Sequence, residues 1–218
     1  MNENQITSET LAEKCGRMAE QYDKDKETHR WNGPNLIFGL SFGYIEPGQS
    51  ILDIGIGTGL GSFLFHKAGL KVYGMDMSSE MLAVCKNKGI AEELKIQDLT
   101  KTPYPYGESS INHAICVGVL NHFDNIEPVF LETSRILKDN GIFGFIVADR
   151  KNDENAMFEV QHAGSCHKMY RHSYEQIYAY TERTGFQILR ELEFLVPEHN
   201  ESNKAKTLKA YIAGKSVI

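Results

Sequence analysis

The sequence predicts an α/β fold: a doubly wound, mostly parallel sheet of seven strands with a C-terminal antiparallel hairpin strand, a Rossmann-like arrangement. From residue 50 onward, apolar segments of strand length alternate with segments of helical character. This alternation is typical of a parallel sheet covered by helices on both faces. The last two strand segments are separated by residues 196–203, which are too few for a crossover helix, so we expect them to pair as an antiparallel hairpin.

The individual elements follow from local composition. Gly69 and Gly89 stand where helices commonly end, and a Ser-x-x-Gln capping box at residues 173–176 opens a helix that Gly185 closes. The predicted strands are Ser50–Ile54, Lys71–Met75, Glu93–Gln97, Ile111–Val117, Ile142–Val147, Phe186–Phe194 and Thr207–Ala213. The predicted helices are Leu60–Lys67, Ser79–Lys88, Glu127–Leu137 and Tyr174–Thr184. Residues 1–218 are predicted to form a single domain, because their number is close to the size of one domain with additions.

Two segments lie outside the alternating pattern. Residues 1–49 contain a charge-rich helical stretch, and we expect residues 1–35 to form a lid over the open ligand edge of the sheet. Trp31 is a candidate for that lid, with packing against the core as the alternative. Residues 149–173 are polar and are predicted to be an insertion on the substrate side.

Composition and charge exclude several classes of protein. Hydrophobic residues make up 41% and charged residues 24% of the chain, as in ordinary globular proteins. The net charge of −6 gives no reason to expect nucleic-acid binding. The sequence shows neither an apolar run of about 20 residues that could span a membrane nor a secretory signal. The four cysteines form no Cys-x-x-Cys pair, which predicts reduced thiols, a cytoplasmic location and no structural zinc.

The most informative segment is the glycine-rich turn at residues 53–61. A buried strand ends in Asp53, and glycines at alternate positions from Gly55 lead into a helix. Glycine adopts positive φ at low cost and lets the backbone touch a ligand. The dinucleotide fingerprint Gly-x-Gly-x-x-Gly fails, because Leu60 stands at the third glycine position counted from Gly55. The Asp53 carboxylate would also repel a pyrophosphate. A nucleotide-cofactor oxidoreductase is therefore a less favoured interpretation.

Acidic residues follow three consecutive predicted strands, namely Asp53, Asp76 and Asp98. The carboxyl ends of parallel strands meet at one edge of the sheet, which is the edge where such folds bind ligands. Asp76 stands about 20 positions after Gly55, where a carboxylate commonly accepts hydrogen bonds from ribose hydroxyls. The pattern predicts an adenosine-type ligand, although Asp76 as a helix cap and Asp98 as a turn residue remain alternatives.

Together these motifs resemble those of the class I S-adenosylmethionine-dependent methyltransferases. The matching segments are 53–59, 74–78, 97–99, 117–123 and 135–142. The similarity covers roughly residues 17–218 and is closest to the small-molecule type, similar to quinone-biosynthesis and Williams–Beuren-region methyltransferase-like proteins. It implies S-adenosyl-L-methionine as the cofactor. It also implies in-line methyl transfer to a small-molecule nucleophile, whose reacting atom (O, N, S or C) is left open.

The resemblance also implies roles for individual residues. The backbone around Gly55 and Gly57 would face the methionine moiety, Asp53 would hold its ammonium directly or through water, and Asp76 would bind the ribose. Asp98 would read the adenine edge. The full set of cofactor-binding residues implied is Tyr22, Asp53, Gly55, Ile56, Gly57, Asp76, Met77, Met81, Asp98, Leu99 and Val117.

Two histidines are candidates for a general base. His122 follows the fourth predicted strand, and His172 precedes the capped helix. A neutral hydroxyl or a protonated amine needs such a base, whereas a carboxylate or thiolate does not, so either histidine could be dispensable or structural. No metal site is predicted, because the spacing of His162, Cys166, His167 and His172 matches no established zinc pattern. A non-catalytic adenosyl-ligand-binding or regulatory protein is the alternative function.

Overall fold

The computed structural model describes residues 11–29, 31–151, 154–162, 165–197 and 205–216. Residues 1–10 of the expected lid lie outside this part of the chain, as do the side chains of His162 and Cys166. Within the described ranges, nine strands form the sheet and helices pack on both of its faces. None of the described helices is long and apolar enough to cross a membrane.

The sheet is mostly parallel and ends in an antiparallel hairpin, which confirms the predicted fold class. The strands are β1 (Ser50–Ile54), β2 (Lys71–Asp76), β3 (Glu93–Ile96), β4 (His113–Cys116), β5 (Ile142–Asp149), β6 (Met157–His162), β7 (Ser165–His172), β8 (Phe186–Pro197) and β9 (Ala205–Lys215). The first five strands pair in parallel in the order β3-β2-β1-β4-β5. β9 then runs antiparallel between β5 and β8. The carboxyl ends of β1, β2 and β4 therefore meet at one edge.

The predicted number of seven strands is wrong, because the described residues contain an additional hairpin, β6–β7. The two strands pair antiparallel with each other, and β7 joins the main sheet only at the end of β5. Their apolar residues are few: in β6, Phe158 and Val160 alternate with Glu159. An alternation this short in a polar segment does not stand out from loop composition. The hairpin lies within the expected insertion at residues 149–173.

The helices are α1 (Leu11–Thr28), α2 (Gly33–Ser41), α3 (Phe63–Lys67), α4 (Ser79–Lys88), α5 (Glu127–Ile136) and α6 (Tyr174–Arg183). The capping box that opens α6 is confirmed: both reciprocal hydrogen bonds between Ser173 and Gln176 are present. Helix α2 was not predicted from the sequence, because its apolar residues are interspersed with glycines. Pro34 in its first turn was the available signal, since proline is favoured at a helix start.

Two hydrophobic layers sandwich the sheet. On one face, side chains such as Leu52 and Phe145 pack with Phe130 of α5 and Ile177 of α6. On the other face, residues such as Ile51 pack with the helices α2, α3 and α4. Because both faces are covered, the edge formed by the carboxyl ends of the strands is where a ligand can reach the backbone.

Candidate cofactor and acceptor site

A cavity of about 320 Å³ opens at the carboxyl ends of β1, β2 and β4. Part of its wall comes from the loops that follow these strands and β3. The rest comes from outside the parallel sheet, from α1, from the segment between α1 and α2, and from the β6–β7 hairpin. The cavity thus joins the glycine loop to the two segments that were predicted as a lid and an insertion.

The glycine loop forms a backbone cradle at the end of β1. The N–H groups of Gly55 and Ile56 both donate to the carbonyl of Met75, at 2.8 and 3.0 Å, which fastens the loop to β2. Gly55 has φ of 76°, and a Cβ there would lie 2.5 Å from a methyl carbon of Val119. Glycine is therefore required at this position by both conformation and space. Bare backbone lines this part of the cavity, as the sequence analysis expected of a ligand-binding turn.

Asp76 lies in the cavity wall with both carboxylate oxygens engaged by backbone. One oxygen accepts from the N–H of Gly57 and the other from the N–H of Ser78, each at 2.9 Å. Burial raises the pKa of Asp76, and these hydrogen bonds oppose that rise. Ser78 caps α4 by accepting from Met81, so the helix-cap alternative for Asp76 is not observed. Each carboxylate oxygen retains capacity for a further hydrogen bond, so Asp76 can accept from two hydroxyls of a ligand.

Asp53 lies behind the glycine loop rather than in the cavity wall. It is only 2% exposed, and its carboxyl group accepts a short hydrogen bond from Ser62. Burial raises the pKa of Asp53 to about 7, with a smaller contribution from the charge of Asp76. A Cβ on Gly61 would lie 2.9 Å from the carboxylate, so the loop closes tightly over it. Asp53 does not line the cavity, where it could contact a ligand ammonium directly. The predicted role of Asp53 in holding the ammonium stays a prediction.

Most of the remaining cofactor residues implied by the resemblance do line the cavity. These are Tyr22, Ile56, Gly57, Met77, Met81, Leu99 and Val117. Asp98 is not among the lining residues. Its carboxylate accepts from the backbone N–H and the hydroxyl of Thr100, at 2.9 and 2.7 Å, and these hydrogen bonds lower its pKa. Its neighbour Gln97 lines the cavity instead, so the adenine-reading role of Asp98 stays a prediction.

The structure brings only one of the two candidate bases to the cavity. His122 lines it, and burial lowers the pKa of His122 to about 4, with further lowering by Lys26 and His167. His172 is 1% exposed, lies outside the lining, and has its Nε2 3.4 Å from the carbonyl of Leu120. Burial lowers the pKa of His172 as well. Among the described side chains, no group of three or more His, Cys, Asp or Glu is placed to hold a metal ion.

Several residues of the cavity wall were not predicted from the sequence. Lys26 lies one helical turn after Tyr22 on α1, and this i, i+4 spacing is a signal that could have identified it. His167 and Met169 alternate along β7, so both face the cavity. The segment 149–173 was expected on the substrate side, but which of its side chains face the cavity could not be predicted, because the hairpin itself was not predicted.

Comparisons with known proteins agree with this geometry. Residues 52–145 match the family described as Methyltransferase domain. The chain is 28% identical over 97 residues to the demethylmenaquinone methyltransferase of Tropheryma whipplei, covering 44% of this chain and 41% of that protein. It is 24% identical over 140 residues to the malonyl-[acyl-carrier protein] O-methyltransferase of Serratia marcescens, covering 64% and 53%. The chain thus spans about half the length of these relatives, or less.

A solved S-adenosylmethionine-dependent methyltransferase from Methanosarcina mazei has the same fold. It superposes with a TM-score of 0.70 at 16% identity, covering 82% of this chain and 98% of that one. The matched segment 52–145 contains the glycine loop, Asp76 and the residues after β4. The resemblance inferred from the motifs is therefore confirmed, and S-adenosyl-L-methionine is the cofactor that this family and fold imply.

Proposed function

We propose that this chain, which carries a methyltransferase domain of the class I S-adenosylmethionine-dependent type at residues 52–145, transfers a methyl group to a small-molecule nucleophile. The observation that carries the proposal is the cavity at the strand ends. Its wall combines a bare glycine backbone, the paired acceptor oxygens of Asp76 and a separate set of aromatic and histidine side chains.

The residues present fit the adenosyl cofactor. Asp76 offers two oxygens to the ribose hydroxyls, and its position is fixed by Gly57 and Ser78. At Gly55 the cavity is lined by backbone without a Cβ, which would collide with Val119. Met77 and Leu99 supply apolar surface for the adenine ring. These contacts leave the wall formed by α1, the residues after β4 and the hairpin for the methyl acceptor.

The chemistry needs little help from acid–base groups. When bound, S-adenosyl-L-methionine supplies an electrophilic methyl group: the acceptor lone pair forms a bond to the methyl carbon while the carbon–sulfur bond breaks and its electron pair stays on sulfur. The chain aligns the reactants and excludes water, and positioning of this kind can lower a barrier by about 7–11 kcal/mol. His122 is neutral at neutral pH and is a weak base, because its pKa is lowered to about 4.

The proposal includes a covering role for the segment 1–35. On α1, the Asp23 carboxylate accepts from the hydroxyl of Thr58 in the glycine loop and pairs with Lys88 of α4. Tyr22 and Lys26 of the same helix line the cavity. These contacts support a lid that is anchored to the loop it covers, while the hairpin within 149–173 would cover the acceptor. A cytoplasmic location is part of the proposal, supported by the free, buried thiols of Cys85 and Cys116.

The test is release of S-adenosylhomocysteine by the purified chain of 218 residues, supplied with S-adenosyl-L-methionine and a panel of small metabolites. We expect one acceptor class to raise the release above the rate without acceptor, and Gly55→Ala to suppress it. Binding of S-adenosyl-L-methionine without turnover of any acceptor would contradict catalysis and favour a non-catalytic adenosyl-binding protein. Tight binding of NADH instead would favour an oxidoreductase.

A further inference from the structure

One part of the cavity wall combines aromatic surface with positively charged and imidazole groups. We call this part the acceptor wall and define it by Lys26, Trp31, His122, Phe123, His167 and Met169. The Lys26 ammonium lies 4.9 Å from the ring centroid of Tyr22 and 6.0 Å from that of Trp31. It is thereby held against aromatic faces at the cavity instead of extending into solvent.

The charges around the cavity are unequally distributed. Among the described lining residues, Asp76 is the only carboxylate and Lys26 the only permanently charged cation. Asp76 accepts from Gly57 and Ser78 in the glycine-loop region, whereas Lys26 belongs to the acceptor wall. The six residues that define the acceptor wall therefore include one positively charged side chain, Lys26, and no carboxylate.

The lowered pKa of His122 agrees with a positive charge on this wall. Burial is the main reason why its pKa is lowered to about 4, and the charges of Lys26 and His167 lower it further. These groups are thus close enough to repel a proton on His122. A neutral imidazole retains one N–H, which can donate a hydrogen bond to an oxygen of a ligand.

We propose that the acceptor wall selects a small organic anion with an apolar body, presenting a carboxylate or phenolate oxygen, and that Lys26 recognises its charge. This inference rests on the proposed function, because it names the substrate class of the same cavity. The ammonium of Lys26 attracts the anionic oxygen, and the faces of Trp31 and Phe123 accommodate the apolar body. An oxygen that arrives ionised brings its own lone pair, so no proton has to be removed by a base.

Other acceptor classes fit the wall less well. A protonated amine would meet the positive charge of Lys26, and the sulfonium of the proposed cofactor would add a second one. A neutral alcohol would need a general base, and His122 is too weak a base to accept its proton efficiently at neutral pH, because the pKa of His122 is lowered to about 4. An ionised oxygen avoids both difficulties, and its charge is attracted where the amine's would be repelled.

The test measures binding rather than turnover. The chain of 218 residues, saturated with S-adenosylhomocysteine, is titrated at neutral pH with four aromatic probes by calorimetry and ligand-observed NMR: benzoate, 4-nitrophenolate, benzamide and benzylamine. We expect at least one anion to bind about 10-fold more tightly than benzamide and benzylamine, equivalent to about 1.4 kcal/mol. Comparison of the two anions shows which kind of oxygen is preferred.

Three variants isolate the role of Lys26. In Lys26→Gln we expect the preference for the anion to fall to within about twofold, whereas Lys26→Arg should retain it. Lys24→Gln removes the same charge from an exposed position on the same helix and should leave the preference unchanged. Unchanged thermal midpoints and unchanged affinity for S-adenosylhomocysteine show that the variants fold and keep the cofactor end intact.

The outcomes separate this inference from the proposed function. Equal binding of benzoate, 4-nitrophenolate and benzamide would overturn the inference, as would tighter binding of benzylamine, no binding of any probe, or a preference that survives in Lys26→Gln. If S-adenosylhomocysteine binds in those cases, the proposed function stands and only the anion selectivity is lost. If S-adenosylhomocysteine does not bind to the wild-type chain, both fail.

Discussion

Replacing Asp76 by asparagine tests the assignment of the ribose-binding carboxylate. Each oxygen of Asp76 accepts one backbone N–H at 2.9 Å, from Gly57 and from Ser78. An asparagine side chain has only one acceptor oxygen, so one of these two N–H groups would face the amide NH₂ of the variant, donor against donor. The substitution therefore removes the charge and disturbs the glycine loop at the same time.

The expected effect on binding is large. Two hydrogen bonds from ribose hydroxyls to a charged acceptor contribute about 1.5–3 kcal/mol each, of which the weaker amide oxygen could recover part of one. A net loss of about 2.7 kcal/mol corresponds to about 100-fold weaker binding of S-adenosyl-L-methionine. The unpaired backbone N–H costs about 1–3 kcal/mol of stability, which lowers the thermal midpoint by about 2–4 °C per kcal/mol in a chain of this size.

Calorimetric titration with S-adenosyl-L-methionine measures the affinity, and a thermal melt confirms that the variant is folded. The matched control is Glu80→Gln, which removes the charge from an exposed carboxylate that accepts from the Ser78 hydroxyl at 3.1 Å. This control should keep wild-type affinity, because Glu80 does not line the cavity. Wild-type affinity in folded Asp76→Asn, or an equal loss in the control, would refute the reasoning.

Three further changes test the loop, the buried acid and the histidine. Gly55→Ala should lower the free energy of unfolding by about 1–2 kcal/mol or more, measured by thermal melt, because φ is 76° and the new Cβ would lie 2.5 Å from Val119. The control Gly39→Ala has open space around it and should not lower the free energy of unfolding, so equal losses in the two variants would contradict the account. Because the pKa of Asp53 is raised to about 7, the contribution of Asp53 to stability should fall as pH rises from about 4 to 7, whereas a histidine with a lowered pKa, such as His122, contributes in the opposite direction. The free energy of unfolding of the wild type should therefore fall relative to that of Asp53→Asn over this range, and melts of the two proteins with identical pH dependence would contradict this expectation. Because the pKa of His122 is lowered to about 4, His122→Gln should leave the shape of the kcat/KM–pH profile unchanged between about pH 6 and 8; loss of an inflection near 6.5 would show that His122 titrates there.

The parallel part of the fold could be predicted because its central strands β1, β4 and β5 are almost entirely buried and its turns carry specific residues. β1 and α4 have the predicted bounds, and the capping box at 173–176 is present. The hairpin β6–β7 could not be predicted, since each strand is stabilised by pairing with the other and has few apolar residues. α3 is shorter than predicted, because the turn after Gly57 extends to Ser62 before the helix begins.

Most of the candidate site was predictable, since residues such as Tyr22, Met77 and His122 do line the cavity, but the orientation of the acidic side chains was not. The sequence correctly indicated that acids follow neighbouring strands, but it did not determine where their side chains point. Asp76 faces the cavity, whereas Asp53 turns toward Ser62 and Asp98 toward Thr100. Those orientations depend on local donors that compete for each carboxylate. Lys26 was missed because it comes to the cavity only through the packing of α1 over the sheet edge.

The most direct test of the central claim is a crystal structure of the chain with S-adenosylhomocysteine. The account predicts the ribose hydroxyls within hydrogen-bonding distance of the Asp76 carboxylate and the methionine part of the ligand against the backbone at Gly55 and Gly57. A ligand bound elsewhere, or a ribose that makes no contact with Asp76, would contradict it.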